Sequence, residues 1–352
     1  MAHDALLADF RAGRKAALAR AISVVENHRA GFDVLLGAMH PALGRARRIG
    51  LTGPPGAGKS TITTCLTRHY RRQGLTVGIV CVDPTSPFTG GALLGDRIRM
   101  EDVALDPGVY IRSLATRGSL GGLSTATREV CDVLDAFGTD RVLIETVGVG
   151  QSELDVARTA DSSLVILVPE SGDSIQTLKA GLMEIADVFA VNKADRPGAD
   201  RLRTEIELML GMRPGAAAAP SAGHHGVDLS RNNLARQVRE AAQRDEARWT
   251  PPVLRTIGTE EQGITELAEA LDRHFEYLET SGQLRARRRT RLRERVVDVV
   301  EEKTRQRLWA DVGTTAWLEA RLPQLETGAA TPFEIADALL ARSADLLSGR
   351  ST

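Results

Sequence analysis

Residues 53–60 read Gly-Pro-Pro-Gly-Ala-Gly-Lys-Ser, which is the spacing of a phosphate-binding loop. In such a loop, the backbone N–H groups of a glycine-rich turn and the positive end of the following helix surround a triphosphate. Lys59 is expected to reach the terminal phosphates, and the Ser60 hydroxyl to ligate Mg²⁺. An apolar run at 49–51 and a helix-compatible run at 61–71 flank the motif, so the sequence predicts a nucleoside triphosphate site. The predicted phosphate contacts are Gly53, Pro54, Gly56, Ala57, Gly58, Lys59, Ser60 and Thr61.

Two carboxylates each follow directly on a run of apolar residues, Asp83 after one run and Glu145 after another. If these runs are adjacent parallel strands, their carboxyl ends bring both carboxylates beside the Ser60 hydroxyl, and the result is an oxygen-rich site suited to Mg²⁺. Gly148 would let the backbone approach the terminal phosphate, so the loop after Glu145 can respond to hydrolysis. A plainer alternative for Asp83 is a turn cap before Pro84.

The four residues 192–195 read Asn-Lys-Ala-Asp and end another apolar run, at the edge where open α/β sheets bind ligands. A carboxylate at Asp195 can accept hydrogen bonds from both N1–H and the 2-amino group of guanine. Adenine would leave that carboxylate unsatisfied, at a cost of roughly 1–3 kcal/mol. Alone, the pattern is typical of a solvated turn, but downstream of a phosphate loop it predicts GTP. The predicted guanine contacts are Asn192, Lys193, Asp195, Ile257 and Gly258.

Longer motifs identify a subclass. They are Val-Asp-Pro-Thr-Ser at 82–86, Thr-Gly-Gly-Ala-Leu-Leu-Gly-Asp-Arg at 89–97, Thr-Arg-Gly-Ser-Leu-Gly-Gly-Leu at 116–123 and Glu-Thr-Val-Gly-Val-Gly-Gln-Ser-Glu at 145–153. Together with the phosphate loop and Asn-Lys-Ala-Asp, this set resembles the MeaB/ArgK family. Members of that family are GTPase chaperones of adenosylcobalamin-dependent acyl-CoA mutases. The resemblance covers residues 1–280.

This resemblance implies roles for individual residues. Lys59, Asp83 and Glu145 would be the catalytic residues. The implied Mg²⁺ ligands are Ser60, Asp83, Asp96 and Glu145. Guanine would be held by Asn192 and Asp195, so the implied cofactors are GTP or GDP and Mg²⁺.

The resemblance also implies partners. Those expected are an adenosylcobalamin-dependent acyl-CoA mutase, a cobalamin adenosyltransferase and a second copy of the chain. Residues 169–181 match an extra switch loop through which the family communicates with the mutase, whereas residues 214–232 depart from the family pattern. Intrinsic hydrolysis is expected to be slow, because no residue is an evident arginine finger. The candidates for that role are Arg97, Arg99, Arg112 and Arg117.

Two other functions stay open at this point. A nickel-insertion GTPase of the urease or hydrogenase maturation type belongs to the same broad class, but it would want a His-rich tail or a Cys-Pro-His motif that this sequence does not contain. A transporter-linked kinase would need a preference for ATP, against which Asp195 argues. A mutase chaperone is therefore the favoured interpretation.

Composition adds limits but little specificity. The 352 residues carry 45 Lys plus Arg against 46 Asp plus Glu, so no global field points to nucleic acid. A basic run of seven arginines lies within 285–295, but no aromatic residues interleave with it, and a solvated helix face is favoured. Three distant cysteines indicate reduced thiols. No apolar run approaches the ~20 residues that span a membrane, and a cytoplasmic protein is expected.

The predicted architecture is an α/β phosphate-loop NTPase fold with helical extensions at both ends. Residues 1–45 show helical spacing, and residues 46–280 alternate strands with helices, which is typical of a mostly parallel sheet with helices on both faces. Residues 281–352 are again helical and are assigned to a dimerisation arm. In that arm Leu292, Val296, Val299 and Val300 fall on one face of a predicted helix.

Overall fold

The computed structural model describes residues 3–83, 100–115, 125–146, 152–169, 181–211 and 249–343. Of the predicted site residues, Asp96 and Gly148 lie outside these ranges. The backbone of Asp83 is described but its side chain is not. Most of the predicted switch loop at 169–181 and the atypical segment at 214–232 also lie outside the described residues.

The described residues contain a seven-stranded sheet with the order β3-β2-β4-β1-β5-β6-β7. Its strands are β1 Arg47–Thr52, β2 Val77–Asp83, β3 Val109–Ala115, β4 Arg141–Thr146, β5 Ser162–Leu167, β6 Val188–Asn192 and β7 Val253–Thr256. Every neighbouring pair is parallel. The predicted α/β class is confirmed, and the sheet is parallel throughout. Strands buried on both faces read as continuous apolar runs, which is why the sequence revealed them.

Helices cover both faces of this sheet. Those of the sheet region are α4 Lys59–Arg72, α5 Glu101–Ala104, α6 Thr125–Ala136, α7 Ser152–Thr159, α8 Met183–Ile185, α9 Ala199–Gly211 and α10 Ile264–Thr280. Successive strand residues point to opposite faces. Ile79 and Leu143 therefore join the apolar core that contains residues of α4 and α10, whereas Val80 and Val142 join the core on the other side.

The N-terminal extension consists of α1 Asp4–Arg11, α2 Lys15–Glu26, α3 Phe32–Met39 and the 3₁₀ turn His40–Ala42. Its apolar face is buried, with Leu18, Ile22 and Val25 of α2 fully enclosed in the same core as residues of α6. The Asp135 carboxylate of α6 accepts the backbone N–H groups of residues 44–46 at 2.9–3.0 Å. This carboxylate fixes the segment that leads from the extension into β1.

The chain forms two compact units, residues 1–285 and residues 286–352. The C-terminal helices are α11 Gln283–Ala310, α12 Val312–Glu319, α13 Leu322–Glu326 and α14 Pro332–Arg342. On α11 the predicted apolar row is largely exposed, at 50% for Leu292, 64% for Val296 and 57% for Val300. Among the described helices, none is long and apolar enough to cross a membrane.

Candidate functional site

The glycine-rich loop connects β1 to α4 at the point where the chain passes from the centre of the sheet to its surface. Two of its glycines are required by the protein around them. Gly53 has φ +142°, and a Cβ there would lie 2.0 Å from the Ile166 carbonyl oxygen. Gly58 has φ +88°, and a Cβ there would lie 2.4 Å from Asn192 Nδ2. The loop therefore lies directly against the ends of two neighbouring strands.

Lys59 and Ser60 begin α4, and their side chains are already engaged. The Lys59 ammonium donates to the carbonyl oxygens of Gly53 at 2.8 Å and Pro54 at 3.0 Å, so it folds back over its own loop. The Ser60 hydroxyl donates to Glu145 Oε1 at 2.6 Å. The structure thus brings the Ser60 hydroxyl into contact with the Glu145 carboxylate, although the two residues are 85 positions apart in the sequence. The Lys59 ammonium belongs to the residue next to Ser60.

Glu145 is buried at the end of β4 and is held from α4. Its Oε2 accepts from the Thr63 hydroxyl at 2.9 Å, while the same hydroxyl lies 3.0 Å from the Lys59 carbonyl oxygen. Hydrogen bonds of this kind from hydroxyl groups fix the position of a carboxylate. The carboxylate consequently has a defined orientation next to Ser60.

The oxygen atoms at this edge are of the type that Mg²⁺ prefers. Ser60 Oγ and Glu145 Oε1 are in hydrogen-bond contact, so both can face one ion. In the β2–β4 ladder Val82 lies beside Thr146, which brings the backbone of Asp83 to the same edge of the sheet. The described part of the donor set therefore fits a hard cation beside the phosphate loop.

Asn192 joins the phosphate loop to the opposite side of the site. Its Nδ2 donates to the Ala57 carbonyl oxygen at 2.8 Å. Its Oδ1 accepts from Gly258 N at 3.1 Å and from the Thr256 hydroxyl at 3.2 Å. One buried carboxamide thus connects the phosphate loop with the segment after β7.

Asp195 is exposed at the turn that follows β6. Lys193 adopts φ +55°, a left-handed conformation that turns the chain sharply out of the strand. Ala194 N donates to the Thr256 carbonyl oxygen at 3.1 Å, and the Arg255 guanidinium donates to the Ala194 carbonyl oxygen at 3.0 Å. These contacts fix the turn while leaving the Asp195 carboxylate open to solvent.

The predicted guanine contact Gly258 packs against the start of α4. A Cβ at Gly258 would lie 3.1 Å from Thr61 Cγ2 and 3.2 Å from Ile62 Cδ1. Thr61 itself is exposed, and Ile257 is half-buried. The predicted phosphate contact Thr61 and the predicted guanine contact Gly258 therefore lie side by side.

Arg112 is the one arginine-finger candidate that falls within the described ranges. Its guanidinium pairs with Glu26 of α2, with Nε 2.9 Å from Glu26 Oε2. It is therefore committed to holding the N-terminal extension. The other candidates, Arg97, Arg99 and Arg117, lie outside the described residues.

Two contributing residues were missed by sequence reasoning. Thr63 lies one helical turn after Lys59 and therefore on the same face of α4, which was an available signal. Thr256 ends the short strand β7 and binds Asn192. Nothing in the sequence around Thr256 indicated that partner, because it follows from strand order.

A family model described as "Methylmalonyl Co-A mutase-associated GTPase MeaB" matches residues 18–313. The chain belongs to the MeaB family. It is thus a guanine-nucleotide-binding enzyme that hydrolyses GTP, and both the predicted family and the predicted activity are confirmed.

Relatives of known sequence agree with this membership of the MeaB family. A Pyrococcus horikoshii protein named "Putative GTPase" is 46% identical over 297 residues, covering 84% of this chain and 85% of that protein. The mouse protein named "Methylmalonic aciduria type A homolog, mitochondrial" is 31% identical, covering 96% of this chain and 78% of its own. The crystal structure of a LAO/AO transport system kinase superposes with a TM-score of 0.65 at 28% identity, covering 95% of each chain.

Proposed function

We propose that this MeaB-family GTPase gates the loading, protection or reactivation of the adenosylcobalamin cofactor of a partner acyl-CoA mutase. The observation that carries the proposal is the match over residues 18–313 to a family described by its association with methylmalonyl-CoA mutase. The similarity to a mouse protein named for methylmalonic aciduria points the same way. A homodimer and a cobalamin adenosyltransferase partner belong to the same proposal.

The proposed nucleotide site uses the edge formed by β1, β4 and β6. Lys59 would exchange the carbonyl oxygens of Gly53 and Pro54 for the terminal phosphates of GTP. This exchange is favourable because an ammonium binds anionic oxygens more strongly than neutral carbonyls. The Asp195 carboxylate would accept the two guanine donors.

The proposed metal ligands are Ser60, Asp83, Asp96 and Glu145, in the direct shell or through water. Mg²⁺ at this site would neutralise charge that develops on the phosphates during hydrolysis. Thr63 keeps Glu145 oriented toward Ser60, so this acid can hold the ion or its water without rearranging. Gly148 is proposed to let the following loop respond to the terminal phosphate.

The proposal predicts that the cognate mutase raises the GTPase rate. Without a partner, the attacking water and the developing charge lack fixed groups, so hydrolysis should be slow, and ordering of the loops should lower the barrier. Steady-state kcat should rise at least about tenfold with saturating mutase. Lys59→Ala should show no activity with or without mutase while keeping its circular dichroism spectrum.

Several acyl-CoA mutases, a urease and a hydrogenase would be compared in that assay as partners. A rate that no mutase changes, combined with stimulation by a nickel enzyme, would replace the proposal with the nickel-insertion alternative. A pull-down from the native host, scored for a mutase against a nickel enzyme, provides an independent measurement.

A further inference from the structure

Two arginines of α4 share one carboxylate more than two helical turns after Lys59. Arg68 Nη1 lies 2.9 Å from Glu261 Oε1, and Arg72 Nη2 lies 2.8 Å from Glu261 Oε2. Each carboxylate oxygen therefore has its own guanidinium. Glu261 has φ +54°, in the left-handed region that a residue with a side chain seldom adopts. The surroundings must hold the backbone in this conformation.

Glu261 belongs to a closed loop of residues 257–262, here called the base loop. Ile257 and Gln262 exchange two backbone hydrogen bonds, at 3.1 and 3.2 Å, which close the loop at its base. Within it, Gly258 N donates to Asn192 Oδ1, and the Gly258 carbonyl oxygen accepts from the Cys65 thiol of α4 at 3.2 Å. The base loop is thus attached both to the Asn-Lys-Ala-Asp segment and to α4.

We propose that Glu261 is a positioning residue for guanine binding, which holds the base loop against α4 through Arg68 and Arg72. The helix that begins with the phosphate ligands would then also fix the loop that borders the base. The inference rests on the proposed placement of guanine beside Asp195 and Gly258. Glu261 lies outside both the phosphate loop and the Asn-Lys-Ala-Asp motif.

The geometry favours positioning over a contribution to global stability. Glu261 is 31% exposed and Arg72 65% exposed, and partly exposed ion pairs contribute little to folding. Hydrogen bonds from Arg72 and Arg68 lower the pKa of Glu261, so the carboxylate is charged at neutral pH. Two guanidinium groups on one carboxylate restrict the rotation of the Glu261 side chain. They thereby restrict the backbone of the four residues between Ile257 and Gln262.

The chain offers two matched controls. Arg68 also pairs with Asp102 of α5, at 2.6 Å, and Asp102 is 76% exposed. Asp102→Asn removes the charge of that second partner and leaves the base loop unchanged. Glu207 pairs with Arg203 on α9 at 2.9 Å, so Glu207→Gln breaks an exposed ion pair of the same length elsewhere.

The test compares guanine nucleotide with a ligand that has no base. GDP affinity and GDP release would be measured for wild type, Glu261→Gln and Arg72→Met by fluorescence of a labelled nucleotide. Binding of magnesium tripolyphosphate would be measured by calorimetry. We expect Glu261→Gln to raise the Kd and release rate of GDP roughly threefold to tenfold, Arg72→Met to do so less, and both controls to behave as wild type. The Kd of tripolyphosphate and kcat at saturating GTP should stay within about twofold of wild type.

Equal losses for GDP and tripolyphosphate would overturn the proposal, because Glu261 would then act through α4 and the phosphate loop. An unchanged GDP affinity in Glu261→Gln would also overturn it. Urea unfolding of each variant separates a folding defect from a binding defect. Failure of the underlying base assignment would be seen separately, as an unaltered base preference in Asp195→Asn.

Discussion

At the scale of single residues, the proposed nucleotide site is held together by buried side chains that each bind two partners through different atoms. Asn192 binds the phosphate loop through one atom of its amide and the base loop through the other. Glu145 likewise binds Ser60 through one oxygen and Thr63 through the other. Buried groups with all their partners in place are costly to move. These contacts therefore hold the described part of the proposed site in a defined arrangement.

Asp195→Asn should change the base preference from guanine to xanthine. The asparagine amide presents a donor where the carboxylate accepted, which matches the carbonyl that xanthine carries in place of the guanine 2-amino group. We expect GTP affinity to fall at least about tenfold and XTP affinity to rise by a similar factor. Competition binding with GTP, XTP and ATP measures this. Wild-type protein that binds ATP as tightly as GTP would contradict the assignment.

Much of this site was predictable because its parts are contiguous motifs. The phosphate loop at 53–60 and the Asn-Lys-Ala-Asp segment at 192–195 are recognisable from local spacing. The sheet places these two segments at one edge. The contacts that hold the parts together were not predictable in the same way. Thr256 binds Asn192, which is 64 positions away in the sequence. Glu261 binds Arg72, which is 189 positions away. Such pairings depend on strand order and helix packing, which single-sequence patterns do not encode.

At the scale of elements, strands were easier to predict than the packing of helices. The apolar run at 188–191 makes up most of β6, because a strand buried on both faces has no polar face to interrupt the run. The helical spacing of α11 was also predicted, since it depends on local periodicity. Its exposure was not, because an apolar row shows that a helix has a face but not what covers it.

Asp135→Ala should strongly destabilise the link between the N-terminal extension and the sheet. The carboxylate is buried and accepts three backbone N–H groups, besides pairing with Arg48 at 3.0 Å. Breaking a buried pair by removing one partner costs about 3–5 kcal/mol. Equilibrium urea unfolding measures the loss. Asp33→Ala is the control, because exposed Asp33 caps only its own neighbour Val34, and its change should stay within about 0.5 kcal/mol. Equal stabilities for the two variants would contradict this prediction.

At the scale of the whole molecule, the two compact units differ in how they use apolar surface. The unit of residues 1–285 encloses its apolar residues in cores on both sides of the sheet. The C-terminal unit leaves an apolar row of α11 exposed. Exposed apolar rows of this kind mark surfaces that bind protein. We therefore propose, as part of the dimer expected from the sequence, that α11 contributes to the contact between two copies.

Val296→Asp should weaken that dimer. A carboxylate in the centre of an apolar contact would be desolvated without a partner, so the dimer Kd should rise at least about tenfold. Sedimentation velocity over a concentration series measures the shift toward monomer. Val34→Asp is matched in residue type and exposure, at 68% against 64%, but lies on α3 and should leave the dimer intact. Wild-type protein that is monomeric at all concentrations would contradict the proposed contact.

Two of the three buried cysteines, Cys65 and Cys131, give the protein its own chemical reporters. Cys65 contacts the base loop, whereas Cys131 lies in the core beneath the N-terminal helices. Burial raises the pKa of both thiols, that of Cys131 to about 12, so an aromatic disulfide reagent should modify them only when the covering segment opens. Their modification rates therefore report two separate opening reactions in the unmodified chain. A bound nucleotide that holds the base loop against α4 should lower the modification rate of Cys65. The modification rate of Cys131 should stay almost unchanged.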